Sequence, residues 1–447
     1  MSARDAARLK VIQDTVHGAV RTTPLVQELI DSPEVQRLRH IKQLGLANLV
    51  FPGANHTRFE HSFGAGTVAG RMADALDLPD DEKTLVVAAC QLHDLGHGPY
   101  SHTLEPVLHK VLGFDHMDIT KRIINGEDEE VDARKSGVGQ KRIPDILASC
   151  DLDPERVAAL IKGVHTPGMF SFEEMGEHRG QQFFAGKKRY LAHIVHGTID
   201  ADQIDYLLRD AHHTGVAYGV IDFDRLLHTM VVHNGSLTFH RKGVAAVESV
   251  LVARGLMYSS VYLHKTTRIA EVMMARAVEM AIGSRKRKDA EGGFPIQRMV
   301  DSEFDAWLSA QKGMPGRIAR QLKYRELHKR CFDIKPGEFD DRLRDRLLAL
   351  CEPDERKRSE EELWRKARIP PGSAFLDIPR KELLLSEPRI AKTDVPMLDG
   401  SRIVPLGRIS TLAPALRTRE TLDWVLMGCA EPRHASAAAR AAKSILA

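Results

Sequence analysis

Cysteine is scarce in this chain, and the little it has is not organised. Cys90, Cys150, Cys331, Cys351 and Cys429 are odd in number, scattered, and form no CxxC pair. That excludes a disulfide framework and a structural zinc knuckle, and it points to a reduced, cytoplasmic compartment. Aromatic residues make up only 6% of the chain. No apolar run suggests a membrane span, and the start, MSARDAARLKVIQD, is charged where a secretory leader would be apolar. Charge of one sign is also lacking. Lys+Arg of 64 against Asp+Glu of 61 leave a net +3, so nothing drives the whole chain toward nucleic acid, although a local basic patch stays open. What is present, 447 residues with 43% hydrophobic and 28% charged, fits a globular protein with one large core or two to three domains.

Alternation of apolar and polar residues in LKVIQDTVHGAVR predicts a short hairpin about His17-Gly18. A helix is expected over 24–44, with Asp31-Ser32-Pro33 opening its second half. Another is expected over RFEHSFGAGTVAGRMADAL, where Gly64, Ala65, Gly66, Ala69 and Gly70 permit close contact with the helix ending at His93. Further helices are expected over 104–112, 116–124, 144–164 with a break, 190–211, 223–233 and 243–282, with a hairpin turn at Asn234-Gly235. GEDEEVDARKSGVGQKR and SRKRKDAEGGFP have the composition of exposed connections. Beyond Pro295 the chain is charged and helical to about Trp364; IPPGSAFLDIP and VPMLDGSRIVPL then suggest strands, the second a hairpin about Asp399-Gly400. A last helix over 410–424 precedes an alanine-rich tail. The fold class is therefore mainly α, with a short N-terminal hairpin and a smaller α+β C-terminal part, divided as 1–285 and 286–447.

The chemistry concentrates in QLHDLGHGPYSH, residues 91–102. An apolar helix, DEKTLVVAACQ, expected to be capped by Asp80 or Asp81, ends by delivering His93 and Asp94 together, with His97 one turn on. Gly96, Gly98 and Pro99 are expected to turn the backbone so that His102 folds back toward the same cavity. Burying so many ionisable groups is costly unless a positive charge sits among them, and a divalent metal is the simplest candidate. His61 in RFEHS and Asp202 in TIDADQIDYLLRD could meet it. Two imidazoles and two carboxylates suit a single divalent ion; the mixed donors favour Mn, Fe, Co, Ni or Zn over Ca, with Mg admitted. An imidazole oriented by a carboxylate, such as His102 with Glu105, can move protons near neutral pH. Two helix stripes stand out as well: Asp202, Tyr206 and Asp210, and Arg254, Tyr258 and Tyr262.

QLHDLGHGPYSH, HTRFEHSFG and DADQIDYLLRDAHH together resemble the signature of the HD-domain metal-dependent phosphohydrolases, and most closely their deoxynucleoside triphosphate triphosphohydrolases of the SAM-and-HD-domain type and bacterial relatives. The likeness runs from about Val11 to about Lys265, through VIQDTVHG, DSPEVQRLRHIKQLG and YLHK. It implies an HD-domain helical bundle with His61, His93, Asp94 and Asp202 as metal ligands. It implies water attack on the α-phosphorus of a dNTP, releasing deoxynucleoside and inorganic triphosphate. By the same likeness His102 with Glu105 sits beside the scissile phosphate, His97 contacts phosphate and His116 protonates the leaving oxygen. Arg58 and Arg254 resemble phosphate contacts; Gln43, Tyr206 and Tyr262 resemble sugar contacts, and Asp210 resembles the aspartate holding the 3′-hydroxyl. Where the family has a glutamate after the last histidine, Met117 stands here, and where it has a lysine after the aspartate ligand, Gln203 stands here. Asp31, Gln36 and Arg39 match a trio that holds a guanine nucleotide activator (GTP or dGTP) between subunits, which implies a homo-oligomer, dimer or tetramer. Two rival classes remain at this point: another HD phosphohydrolase acting on a phosphomonoester or phosphodiester, and a nucleotide- or nucleic-acid-binding assembly factor with little turnover.

Overall fold

Alternation does give the chain its first element. In the computed structural model, which describes residues 10–127, 141–162, 188–283, 295–335, 338, 340–378, 394–417 and 424–446, β1 (Val11–Asp14) pairs antiparallel with β2 (Gly18–Arg21). The expected 24–44 helix is shorter: α1 (Pro24–Asp31) and α2 (Pro33–Arg37) meet at Ser32, which caps the second, and a 3-10 turn then ends at His40. Ile41 is extended, because Lys42 forms an isolated bridge with Thr57 and the Ile41 carbonyl accepts the Arg58 amide at 2.9 Å.

Helices α3 (Arg58–Ala75) and α4 (Asp80–Leu92) form the central pair. Their contact uses the small residues: a Cβ on Gly66 would lie 3.3 Å from the Gln91 Cβ, and one on Gly70 would lie 3.5 Å from Val87. Pro79, not an aspartate, is the residue before α4, so Asp80 and Asp81 occupy its first turn and complement the helix dipole rather than cap it. Around this pair stand α5 (Glu105–Leu112), α6 (His116–Asn125), α7 (Ile143–Ser149) and α8 (Pro154–Lys162). The expected 190–211 helix is two, α9 (Arg189–His196) and α10 (Ala201–Thr214). The break falls where the Asp200 side chain accepts the Gln203 amide and caps α10. Next come α11 (Phe223–Thr229), the hairpin β3 (Met230–His233) and β4 (Ser236–His240), then α12 (Val244–Met257) and α13 (Lys265–Ile282). A π-helical turn over Tyr258–Tyr262 interrupts what reads in sequence as one helix over 243–282.

The segment Arg241–Tyr262 is long and apolar enough to cross a membrane by composition, a property the sequence reading did not assign to it. Here it is a core helix, with Val247, Val250, Leu251 and Met257 buried against the bundle.

Past residue 294 the chain runs through α14 (Pro295–Arg298), α15 (Asp301–Ser309), α16 (Met314–Lys323), β5 (Lys329–Ile334), α17 (Asp341–Leu350), α18 (Pro353–Ala367) and β6 (Ala374–Asp377). It continues through β7 (Pro396–Asp399), β8 (Arg402–Pro405), α19 (Leu412–Arg417), β9 (Leu426–Ala430) and α20 (Ala435–Leu446). Strand β7 pairs parallel with β4, so residues after 394 complete a sheet begun before 241, while β5, β9 and β6 form a separate antiparallel sheet. β5 and β9 were not expected, and the expected last helix is described only to Arg417; the chain is described again from Trp424 and becomes strand at Leu426. Most of GEDEEVDARKSGVGQKR and of SRKRKDAEGGFP lies outside the described residues.

One buried group in this second half has a pH signature. His328 is 1% exposed and stacks on Phe375 at 5.3 Å, and burial pushes its pKa from 6.5 down to about 4. It is neutral when folded and titrates at the higher value when unfolded. Stability from this residue is therefore full above pH 6.5 and is lost as pH falls toward about 4. The loss is on the order of 3 kcal/mol. His328→Phe is expected to flatten the fall in urea-unfolding free energy between pH 6.5 and 4.

Candidate metal centre and active site

The start of α3 is fixed by a capping box in which the Glu60 carboxylate accepts the Thr57 amide at 2.6 Å. That places Arg58 and His61 in the first turn, facing the end of α4. His93 stands at the α4 C-cap, and its Nδ1 donates to the Cys90 carbonyl at 2.7 Å, which turns Nε2 toward Asp94 (3.3 Å) and Asp202 (3.6 Å). His61 Nδ1 donates to Asp205 at 2.8 Å, and its Nε2 lies 3.0 Å from Asp202 and 3.6 Å from Asp94. The structure thus brings His61, His93, Asp94 and Asp202 together from three segments. Asp202, at 30% side-chain exposure, is the one that opens to the cleft.

The electrostatics of this cluster demand a positive charge. Burial alone would lower the pKa of His61, but hydrogen bonds and charge from Asp202 and Asp205 push it up to about 10. His93 is likewise raised, its burial being outweighed by Asp94 and Asp202. Burial opposes ionisation of Asp94, yet Arg58, His93 and His97 hold its carboxyl well below the usual range. Both Nδ1 positions already donate outward, so the two Nε2 atoms can face carboxylate oxygens favourably only through a proton or a cation. The ligating atoms of His61, His93 and Asp94 all lie within 4.8 Å of one another. The donor set therefore fits a divalent ion, whose binding would displace those Nε2 protons.

Arg58 is 1% exposed; Nε donates to Ser101 at 2.7 Å, Nη1 donates to Asp94, and the buried Nη2 has no hydrogen-bond partner among the described residues. The motif's glycines act differently from expectation. A Cβ on Gly96 would fall 2.1 Å from the His116 carbonyl, so that glycine admits α6. The left-handed turn is carried instead by Tyr100 (φ 55°) and Ser101 (φ 53°), with the Tyr100 amide held by Asp301 at 2.8 Å. Past it, Glu105 accepts from His102 Nδ1 at 2.8 Å with one oxygen and from His116 Nδ1 with the other. Glu105 thus supplies the orienting carboxylate for His116 that Met117, which is buried in the core, cannot. His97 stacks on His116 at 3.9 Å, its Nε2 lies 3.4 Å from Asp94, and burial, with Arg58 and His116 adding to it, keeps its pKa well below 6.5.

On α10, Tyr206 and Asp210 follow Asp202 at successive turns. Asp210 accepts from Tyr262 at 2.7 Å and from His56 at 2.8 Å. Tyr206 meets Tyr262 edge-on at 6.2 Å, and the Arg254 guanidinium lies 5.7 Å from the Tyr258 ring. Gln43 adjoins this group through its backbone amide, which donates to the His56 carbonyl at 3.0 Å, and its Oε1 is buried with no hydrogen bond among the described residues. Gln203 is 3% exposed and presents no charge to the cleft. Asp31, Gln36 and Arg39 lie at the α1–α2 corner: Asp31 faces Lys10 at 3.4 Å, Gln36 accepts from Arg39 at 2.9 Å, and Arg39 lies 3.5 Å over the Phe59 ring.

Sequence reading missed His56, and it missed Asp205 with its partners His17 and Arg209, and Asp14, which pairs with Arg209. The available signal was the i,i+4 spacing of Asp205 and Arg209 on the apolar side of α10.

Residues 58–210 match the HD domain family, and residues 221–447 match the HD associated region. This chain is an HD-domain phosphohydrolase with an HD-associated region. The HD-domain chain is 32% identical over 428 residues to an uncharacterised protein of Methanocaldococcus jannaschii, covering 93% of this chain and 78% of that one. It is 33% identical over 293 residues to deoxynucleoside triphosphate triphosphohydrolase SAMHD1 of Gallus gallus; that match covers 61% of this chain and 45%, about half, of the chicken protein. In structure it is similar to a hypothetical protein from Aquifex aeolicus, with a TM-score of 0.68 at 26% identity, covering 97% of this chain and 100% of that one.

Proposed function

We propose that this protein hydrolyses deoxynucleoside triphosphates to deoxynucleoside and inorganic triphosphate in the cytoplasm. The observation carrying this reading is that one helix face joins the His/Asp cluster to a polar group formed by Tyr206, Asp210 and Tyr262. Asp202, Tyr206 and Asp210 occupy successive turns of α10. Eight residues span roughly 12 Å at about 1.5 Å per residue, the reach of a phosphate joined to its sugar. The name of the chicken relative agrees with this substrate class.

His61, His93, Asp94 and Asp202 would hold the ion. A divalent metal, when bound, supplies charge that polarises a phosphoryl oxygen and makes water a better nucleophile. Arg58 offers Nη2 as a fixed donor to the phosphate, since its other nitrogens are occupied by Ser101 and Asp94. His97, neutral at its low pKa, accepts or donates one hydrogen bond without adding charge. His102 and His116, anchored at Nδ1 by Glu105, present Nε2 for proton transfer, His102 beside the scissile phosphate and His116 to the leaving 5′-oxygen. Tyr206 packs under the deoxyribose, with Gln43 and Tyr262 completing the sugar pocket and Asp210 holding the 3′-hydroxyl. Arg254 is assigned to the outer phosphates, and Asp31, Gln36 and Arg39 to a guanine nucleotide that assembles a homo-oligomer.

A second reading, hydrolysis of a different nucleotide ester, is favoured by one observation: Gln203 brings no cation to the triphosphate. Incubation with each dNTP and Mn²⁺ or Mg²⁺, with and without GTP, separates the two. Release of intact triphosphate is expected. Release of phosphate or pyrophosphate would establish the second reading, and no turnover in any combination would defeat the first.

A further inference from the structure

We infer that His17 and Asp205 are positioning residues of the metal centre, through which the docked N-terminal hairpin sets the orientation of the His61 imidazole. The inference rests on the reading of His61 as a metal ligand. Asp205 is fully buried and receives His17 Nε2 at 2.7 Å, His61 Nδ1 at 2.8 Å, and Arg209 Nε and Nη2 at 2.9 Å each. A carboxylate offers about four lone-pair positions, so this one is saturated and cannot swivel. With Asp205 as acceptor, His61 must carry its proton on Nδ1, which leaves Nε2 to face the Asp94 and Asp202 carboxylates.

The relay extends outward. Arg209 also reaches Asp14 at 3.0 Å, and Asp14 accepts the Val16 and His17 amides at 2.8 Å, closing the hairpin turn that carries His17. Helix α3 is shaped around the relay: a Cβ on Gly64 would come 1.9 Å from Asp205 Oδ1 and 2.3 Å from Arg209 Nη2. A two-stranded hairpin is marginal alone, and Val11 on this one is 58% exposed. Its docking therefore leans on the same carboxylate that orients His61. By linkage, ion binding and hairpin docking strengthen one another.

A plain Asp205–Arg209 ion pair would need neither imidazole, and the variants separate the two cases. Asp205 also supports Arg209, so the test is made at His17, in the full-length protein, by Mn²⁺ titration calorimetry and hydrogen exchange. Wild type is expected to bind Mn²⁺ and to show slower amide exchange over 11–21 when it does. His17→Ala is expected to lose on the order of 10-fold or more in Mn²⁺ affinity. It should also lose the exchange response, with its metal-free melting temperature little changed. His17→Gln, which keeps a donor, is expected to recover most of the affinity. Affinity in His17→Ala within twofold of wild type overturns the relay while leaving the metal centre standing. An equal loss in His17→Gln, or a loss matched by melting of the metal-free fold, reduces the contact to packing and also overturns it. Absence of Mn²⁺ binding by wild type removes the metal centre, and the relay with it.

Discussion

Asp94→Ala is expected to abolish bound metal and to lower turnover on the order of 10³-fold or more. Asp94 is the most heavily shared side chain of the site. One oxygen lies near His93 and His97, and the other meets Arg58 and lies 3.6 Å from His61. Its removal takes away a ligand and strands the buried Arg58 cation. An ion pair broken in this way costs about 3–5 kcal/mol. Asp202→Ala provides the contrast, because Asp202 is part-exposed, comes from α10 and faces no arginine in the cluster. It should lose metal equally but stability much less. Metal content after dialysis against Mn²⁺, together with thermal melts in chelator, checks both halves. Stoichiometric metal retained by Asp94→Ala would place the cation elsewhere.

Those two carboxylates also show what could be read directly from the sequence. His93 and Asp94 are adjacent in a motif at the end of an apolar helix, and their convergence with His61 and Asp202 followed from donor chemistry and from likeness to a family. The helical body and the hairpins at Asn234-Gly235 and Asp399-Gly400 were legible because period and turn residues agree there. Strand β9 was not: LMGCA is buried at every position, and a short apolar run has no period to distinguish strand from helix. The splitting of 190–211 was signalled only by Asp200, whose capping role depends on the chain turning at Gly197, and nothing in the local pattern requires that turn. Asp205 was hidden for a related reason. It lies on the buried side of α10, where periodicity predicts apolar residues, and its partner His17, like the Asp14 that pairs with Arg209, is nearly two hundred residues away.

Glu105→Gln is the second substitution with a large expected effect. The carboxylate accepts from Nδ1 of both His102 and His116, so each ring keeps Nε2 for the substrate. An amide has one acceptor and one donor end. One imidazole can stay as it is, but the other meets an N–H where it needs an acceptor and must flip or change tautomer. Losing one aligned proton carrier is expected to lower kcat by about 10²-fold. KM should change little, because neither Glu105 oxygen is assigned to substrate. Desolvation at the ring and the Arg58 charge hold the His102 pKa down, the Glu105 hydrogen bond and charge act against them, and solvent screens all of these because the side chain is 62% exposed. Neutralising Glu105 therefore shifts the His102 titration downward, and the acid limb of kcat against pH should move to lower pH. A uniform fall in kcat with the limb in place would assign Glu105 a packing role, whereas a fall with the limb displaced identifies it as the group that holds both histidines in their working tautomers.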